Sequence, residues 1–181
     1  MEKFIESKDV PGLIKDGDTI YSTGMMLAGL AEEAFAQIER SFLDSGHPRD
    51  LSWYFPAGQG NFKDKGMARL AHEGLVKRIV AAHYGVGGPK LAQLVRDNKV
   101  EAYNWPQGVL SVMPRQVAGR RGGLFTKVGL GTFIDPRIEG SKLNTCAAED
   151  LVAVRELDGE EFLYFKPPKV SVGLIRGTVA D

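Results

Sequence analysis

Tyr103-Asn104-Trp105-Pro106-Gln107-Gly108 decides how the chain is read. Residues 100–105 have the composition of a short strand, Pro106 ends it, and Gly108 turns the chain into an amphipathic stretch at 109–117. A strand that gives way to a polar, turn-forming tip and then a helix is where open α/β sheets hold ligands. On spacing alone the same three residues, Pro106-Gln107-Gly108, read equally well as a plain strand-to-helix connection, so the flanking sequence has to decide.

Toward the N-terminus the same alternation recurs. Asp16-Gly17-Asp18 is a turn signal before the β-prone Thr19-Ile20-Tyr21-Ser22-Thr23. Gly24 and Gly29 bracket a loop, and 30–42 carries Leu30, Ala34, Phe35, Ile38 and Phe42 at helical spacing. A second strand at 51–55 ends at Pro56-Ala57-Gly58-Gln59-Gly60, and a short helix at 67–73 precedes a third strand at 76–82. The nearly unbroken apolar run of that strand suits a parallel strand covered on both faces. Pro89 opens a helix at 90–97, which leads back to the strand at 100–105. Strands alternating with helices predict βαβ units and a parallel sheet. Right-handed crossovers place every strand-to-helix loop at one sheet edge. The loops at 24–29, 57–60, 83–88 and 106–108 are therefore expected to converge.

Toward the C-terminus the character changes. Arg120-Arg121-Gly122-Gly123 and Gly129-Leu130-Gly131-Thr132 are glycine-rich, and the stretch to Asp150 is expected to be ligand-facing loop rather than core. Residues 152–156 and 162–165 predict a hairpin about a type I′-like Asp158-Gly159 turn, and 170–175 the last strand. The expected fold is α/β: an open, mostly parallel sheet flanked by helices, with a C-terminal β-hairpin region.

Composition narrows the classes. The chain has 181 residues, 43% hydrophobic and 25% charged, which fits one soluble globular domain spanning 1–181. Lys+Arg and Asp+Glu both number 23, so no basic excess points to nucleic acid or an anionic membrane. The single cysteine, Cys146, excludes an internal disulfide framework and suits the cytoplasm. The charged N-terminus shows no signal-peptide h-region. No run of about 18 apolar residues predicts a spanning helix.

Residue by residue, no self-sufficient catalytic set emerges. Gly24-x-x-x-x-Gly29 has phosphate-loop spacing, but Leu30-Ala31 stands where Lys and Ser/Thr are required. Gly85-Val86-Gly87-Gly88 fails the dinucleotide fingerprint. His47, His72 and His83 are scattered, and no Cys/His cluster has metal-ligand spacing, so no metal is expected. His83, at a strand end, reads as a hydrogen-bonded structural histidine. Cys146 has no histidine partner in sequence and makes a poor nucleophile. Glu32 and Glu33 open a helix, where carboxylates complement the dipole. Arg120-Arg121 reads either as a phosphate-holding pair or as a solvated one.

These loops taken together resemble the α-half of the family I CoA-transferases, the group of acetate, propionate and 3-oxoacid CoA-transferases. The resemblance covers nearly the whole length. It runs from Gly17-Asp18-Thr19 and Gly29-Leu30-Ala31-Glu32 through Pro106-Gln107-Gly108 to Asp158-Gly159-Glu160-Glu161-Phe162 and Leu174-Ile175-Arg176-Gly177-Thr178-Val179-Ala180-Asp181. Val128-Gly129-Leu130-Gly131-Thr132-Phe133-Ile134-Asp135-Pro136-Arg137 is its most specific part and resembles the acetate and propionate branch. Where the family usually has a further glycine in the first loop this chain has Met26, and where it has a proline, Ala31.

The resemblance implies CoA transfer between an acyl-CoA and a carboxylate by ping-pong covalent catalysis, with CoA as substrate and no bound cofactor. The family's nucleophile is a glutamate of the β-half, so the chain is expected to be a subunit or piece that works in an oligomer with a β-type subunit or domain, inactive without it. It further implies that Gln107 faces that glutamate and the acyl group, and that Gly108 permits close approach. Ala57 and Gly58 would supply a backbone N–H near the acyl oxygen. Gly129 and Gly131 would line the acyl pocket, and Gly24 and Gly29 would shape it. Two alternatives stand beside this: a sugar-phosphate isomerase on the same general fold, and a non-catalytic binding remnant.

Overall fold

In a computed structural model of the chain, residues 4–179 are described; Ala180 and Asp181, which close the C-terminal motif, and the first three residues lie outside them. Strand β1 (Thr19–Ser22) leads into helix α1 (Glu32–Ser45). There follow β2 (Leu51–Phe55), β3 (Val76–Ala81), helix α2 (Gly88–Arg96), β4 (Glu101–Asn104) and helix α3 (Gln107–Ala118). Strands β5 (Leu124–Thr126), β6 (Val152–Leu157), β7 (Glu160–Phe165) and β8 (Val172–Leu174) complete the chain. The main sheet is parallel throughout, in the order β4-β3-β2-β1-β8.

Register explains why these strands are apolar on both sides. Ile20, Trp53 and Ile79 stand side by side across β1, β2 and β3 and pack against Phe35 and Ile38 of α1 and Leu91 of α2. One residue on, Tyr21, Tyr54, Val80 and Tyr103 form the opposite row, packed against Val109, Leu110 and Met113 of α3 and against Leu163 and Phe165 of β7. Alternate residues thus bury on opposite faces, and each face has its own cover.

Several elements differ from expectation. Helix α1 starts at Glu32 rather than at 30, because Ala31 holds a non-helical ψ of 59°. It runs on to Ser45, where Gly46 in the left-handed region (φ 76°) donates its N–H to the Phe42 carbonyl and closes it. The expected helix at 67–73 shrinks to one 3-10 turn, Met67–Leu70, since Gly74 at φ 87° redirects the chain into β3. The stretch up to Asp150 is not simply ligand-facing loop. Leu124–Thr126 pairs with β7 to make a three-stranded antiparallel sheet, and Ile134, Asp135, Ser141 and Ala147 are buried. The hairpin turn has Asp158 and Gly159 both at positive φ (52° and 79°), as a type I′ turn requires.

Helix α3 carries a proline, Pro114, in its interior. Proline there costs about 3 kcal/mol and leaves the carbonyl four residues earlier without its helical N–H. That carbonyl belongs to Leu110, which is fully buried, and the Tyr21 hydroxyl of β1 donates to it. Burial of Val109, Leu110 and Met113 contributes about 1.5–3 kcal/mol each, enough to outweigh the proline. The outcome is a helix fixed over β1 with its first residue, Gln107, at the C-terminal edge of the sheet.

Replacing Tyr21 by Phe orphans the Leu110 carbonyl and is expected to destabilise the chain by about 1–3 kcal/mol in urea unfolding. Pro114→Ala supplies an N–H, so the double variant is expected to recover part of that loss. Simple additivity of the two substitutions would contradict this pairing.

Candidate functional site

Because the main sheet is parallel, all its strand tips open on one edge, and there the tips of β1, β2, β3 and β4 meet. A cleft of ≈ 420 Å³ is lined by Met25, Met26, Ala57, Gly58, Ala82, His83, Val86, Asn104, Trp105, Pro106 and Gln107. It draws on all four loops expected to converge.

Hydrogen bonds hold the tips in place. The Met26 N–H donates to the Gly58 carbonyl (2.7 Å) and the Gly60 N–H to the Met26 carbonyl (3.0 Å), which docks the first loop on the second. Beneath them the Trp53 indole donates to Ser22 Oγ (2.7 Å), and Ser22 Oγ donates to Gln59 Oε1 (2.7 Å). Asn104 Nδ2 donates to the carbonyls of Ala81 (3.1 Å) and Ala82 (3.0 Å), extending the β3–β4 pairing beyond the last strand residue. None of Ser22, Gln59 or Asn104 is marked by a sequence motif; a polar residue at the end of an apolar strand is the signal that was available.

The expected site residues fall into two groups. Gln107, Ala57 and Gly58 line the cleft, and Gly108 is next to Gln107 in the first turn of α3. Gln107 is exposed and its amide makes no hydrogen bond within the described chain. The N–H groups of Ala57 and Gly58 likewise have no acceptor among the described residues. Gly108 has open space where a Cβ would stand and no positive φ, so the chain's own packing does not require a glycine there. Pro106 caps α3 without a side-chain hydrogen bond, which leaves the N–H groups of its first turn open at the cleft.

Gly24, Gly29, Gly129 and Gly131 are not among the lining residues. Gly24 (φ 112°) and Gly29 (φ 69°) bracket the tight turn in which Met25 and Ala28 exchange backbone hydrogen bonds (3.0 and 2.9 Å), so it is Met25 and Met26 that reach the cleft. Met26 takes φ 53°, a conformation in which glycine is easier. Gly129 packs so closely on the small sheet that a Cβ would lie 3.1 Å from Ile134 and Leu163. The Gly131 N–H donates to Asp135 Oδ2 (3.0 Å).

That carboxylate organises the 129–137 loop. Asp135 is almost fully buried and accepts from Arg137 Nη2 (2.7 Å), Arg137 Nε (2.9 Å) and the Arg137 N–H (3.0 Å). The Arg137 side chain, first, and then the backbone N–H donors hold its carboxyl well below the usual Asp range, against the upward push of burial.

One candidate, His83, behaves differently from its sequence reading. His83 was expected to be a hydrogen-bonded structural histidine; it is exposed, lines the cleft, and its ring has no hydrogen bond to any described residue. The Cys146 thiol is raised chiefly by burial, which disfavours the thiolate. Glu32 is structural, accepting from the Gly66 N–H (2.8 Å) and Arg69 (2.7 Å). Among the described residues no cluster of His, Cys, Asp and Glu could hold a metal ion, and no helix is long and apolar enough to cross a membrane.

Comparison with known proteins bears on the family and the fold. The family model described as "Coenzyme A transferase" matches residues 7–181. The caffeate CoA-transferase of Acetobacterium woodii is 45% identical over 181 residues, which is 100% of this chain and 34% of that protein. The acetate CoA-transferase subunit alpha of Escherichia coli is 28% identical over 179 residues, covering 99% of this chain and 71% of that subunit. Among solved structures, the Escherichia coli acyl-CoA transferase YdiF, in a thioester complex with CoA, superposes with a TM-score of 0.89 at 35% identity over 96% of this chain and 36% of that one. The chain thus spans about a third of the length of the caffeate CoA-transferase and of YdiF.

Depression of the Asp135 carboxyl carries a sign for stability. The stabilisation is complete above the ordinary Asp value of 3.8 and is lost as pH falls through the lower, folded value. Asp135→Asn is therefore expected to lower the urea midpoint near neutral pH, and its deficit relative to the parent to shrink below about pH 4. A deficit independent of pH would contradict this.

Proposed function

Since the chain belongs to the coenzyme A transferase family, we propose that it is the α-part of an acyl-CoA:carboxylate CoA-transferase, with its working site at the cleft of the strand tips. The observation that carries this reading is the chemistry of the lining. The Gln107 amide, the free N–H groups of Ala57 and Gly58 and the open first turn of α3 are all hydrogen-bond donors. No described lining residue bears a carboxylate. Such a wall is suited to stabilising negative charge that develops on oxygen, while the attacking carboxylate comes from elsewhere.

In the mechanism that follows, a glutamate of a β-type subunit or domain attacks the thioester carbonyl of a short-chain acyl-CoA. The carbon–sulfur bond breaks, CoA leaves as thiolate, and a mixed anhydride remains. The thiolate then attacks the glutamyl carbonyl, releasing the first carboxylate and forming an enzyme thioester. An acceptor carboxylate attacks that thioester and expels the thiolate, which returns to the new acyl carbonyl and regenerates the glutamate. Dividing one exchange into such steps is the general gain of nucleophilic catalysis. Each tetrahedral intermediate places an oxyanion where the Gln107 amide and the Gly58 N–H can reach it.

The β-type part also has a place to dock. Met25, Met26, Leu27 and Phe62 are exposed by 60%, 45%, 40% and 52% around the first two loops, an apolar rim beside the cleft. The whole-domain unit 1–181 and a cytoplasmic location, which the single unpaired Cys146 suits, belong to the same reading. A sugar-phosphate isomerase would need acid/base carboxylates of its own, and the lining offers none.

Mixing the chain with a β-type part and following acetate-dependent CoA exchange tests the proposal; no exchange above either part alone contradicts it. Gln107→Ala should lower kcat about a hundredfold or more while leaving stability unchanged, because the Gln107 side chain makes no hydrogen bond within the described chain. Gly108→Ala should raise stability by about 0.5–1 kcal/mol, as an alanine does in a helix, and yet reduce exchange if the glycine is there for close approach of substrate. Unimpaired exchange in Gly108→Ala would remove that role.

A further inference from the structure

His83 is held firmly on both sides while its own ring is left unengaged. Before it, the Ala82 carbonyl accepts from Asn104 Nδ2 (3.0 Å). After it, the Tyr84 hydroxyl accepts the Tyr103 N–H (3.0 Å) and has the carbonyls of Tyr103 (2.8 Å) and Ile79 (2.9 Å) within reach of its one proton. The backbone that presents the imidazole is therefore fixed at the tip of β3. The ring itself bonds to nothing described, and it is the one ionisable side chain among the described residues lining the cleft.

Two glycines make room for it. A Cβ on Gly58 would lie 2.9 Å from His83 Nδ1 and 2.4 Å from Val86 Cγ2, and a Cβ on Gly85 would lie 3.0 Å from His83 Cε1. Neither glycine has a positive φ, so space rather than backbone conformation is what requires them. The imidazole consequently stands directly beside the Gly58 backbone, whose N–H has no acceptor among the described residues. An oxygen taken up by that N–H has the ring N–H as its next available donor, with Met25, Met26, Ala57 and Val86 as apolar walls for a short carbon chain.

We propose that His83 is a substrate-contacting residue that donates a ring N–H to an oxygen of the acceptor carboxylate and so sets the enzyme's affinity for small monocarboxylates. This rests on the transferase reading and adds to it the group that recognises the acceptor.

The test is acceptor kinetics. The parent chain, His83→Ala and His83→Gln are each combined with the β-type part, and exchange rates are followed against acetate concentration. His83→Ala is expected to raise KM for acetate by roughly tenfold or more, the usual effect of losing one hydrogen bond to a charged group, with kcat nearly unchanged. His83→Gln, which keeps an N–H donor, should recover most of it. An unchanged KM in His83→Ala, or a fall in kcat alone, overturns the proposal while the transferase reading stands. If the parent pair shows no exchange, the transferase reading fails and the His83 Cε1–H resonance of the chain decides. A shift that saturates with sodium acetate but not with sodium chloride retains a carboxylate contact, and its absence overturns it.

Discussion

A carbonyl without its helical partner sets the geometry on which the site depends. Pro114 removes the N–H that Leu110 would have used, inside a helix whose Val109, Leu110 and Met113 are buried. A buried carbonyl left unpaired is costly, so its partner must come from outside the helix. The Tyr21 hydroxyl reaches across from β1, the strand whose tip leads into the first cleft loop. One bond thus couples the helix that presents Gln107 to the strand that presents Met25 and Met26.

The parallel sheet supplies the rest of the constraint. Strands covered on both faces leave no free side wall for a ligand, only the edges where the strands end. At the C-terminal edge polar side chains take over from the backbone ladder: Asn104 bridges the β3 and β4 tips, and the Trp53–Ser22–Gln59 chain joins β1 and β2. Those links occupy the side chains of Asn104, Ser22 and Gln59, while the donors on Ala57, Gly58 and Gln107 have no partner among the described residues.

Much of this was legible in the sequence, and the reasons differ by element. The four strands and their converging loops could be read because apolar runs, turn residues and right-handed crossovers are local or topological rules. The Asp158-Gly159 turn could be read because an Asp-Gly pair tolerates the two positive φ angles that a type I′ turn requires. Strand β5 was not legible, since Leu124, Phe125 and Thr126 lie among glycines and become a strand only by pairing with Leu163, Tyr164 and Phe165. The start of α3 at Gln107 rather than at 109 was obscured by Gly108, a poor helix former placed where no side chain is needed. Buried Ile134 and Asp135 looked like loop because their burial depends on the hairpin strands that come after them. At the site, strand-tip position marked the loops 57–60 and 106–108 and the family resemblance singled out Gln107, Ala57 and Gly58 within them, whereas the unpartnered state of His83 is a property of its neighbours, which no motif encodes.

The central claim is that this cleft is one wall of a shared site, facing a carboxylate brought by another segment of protein. A crystal structure of the chain together with its β-type part and an acyl-CoA measures this most directly. The account predicts a glutamate of the β-type part opposite Gln107, with the acyl oxygen within hydrogen-bonding distance of the Gly58 N–H. A β-type part docked at the other end of the strands, with the cleft open to water, would contradict it.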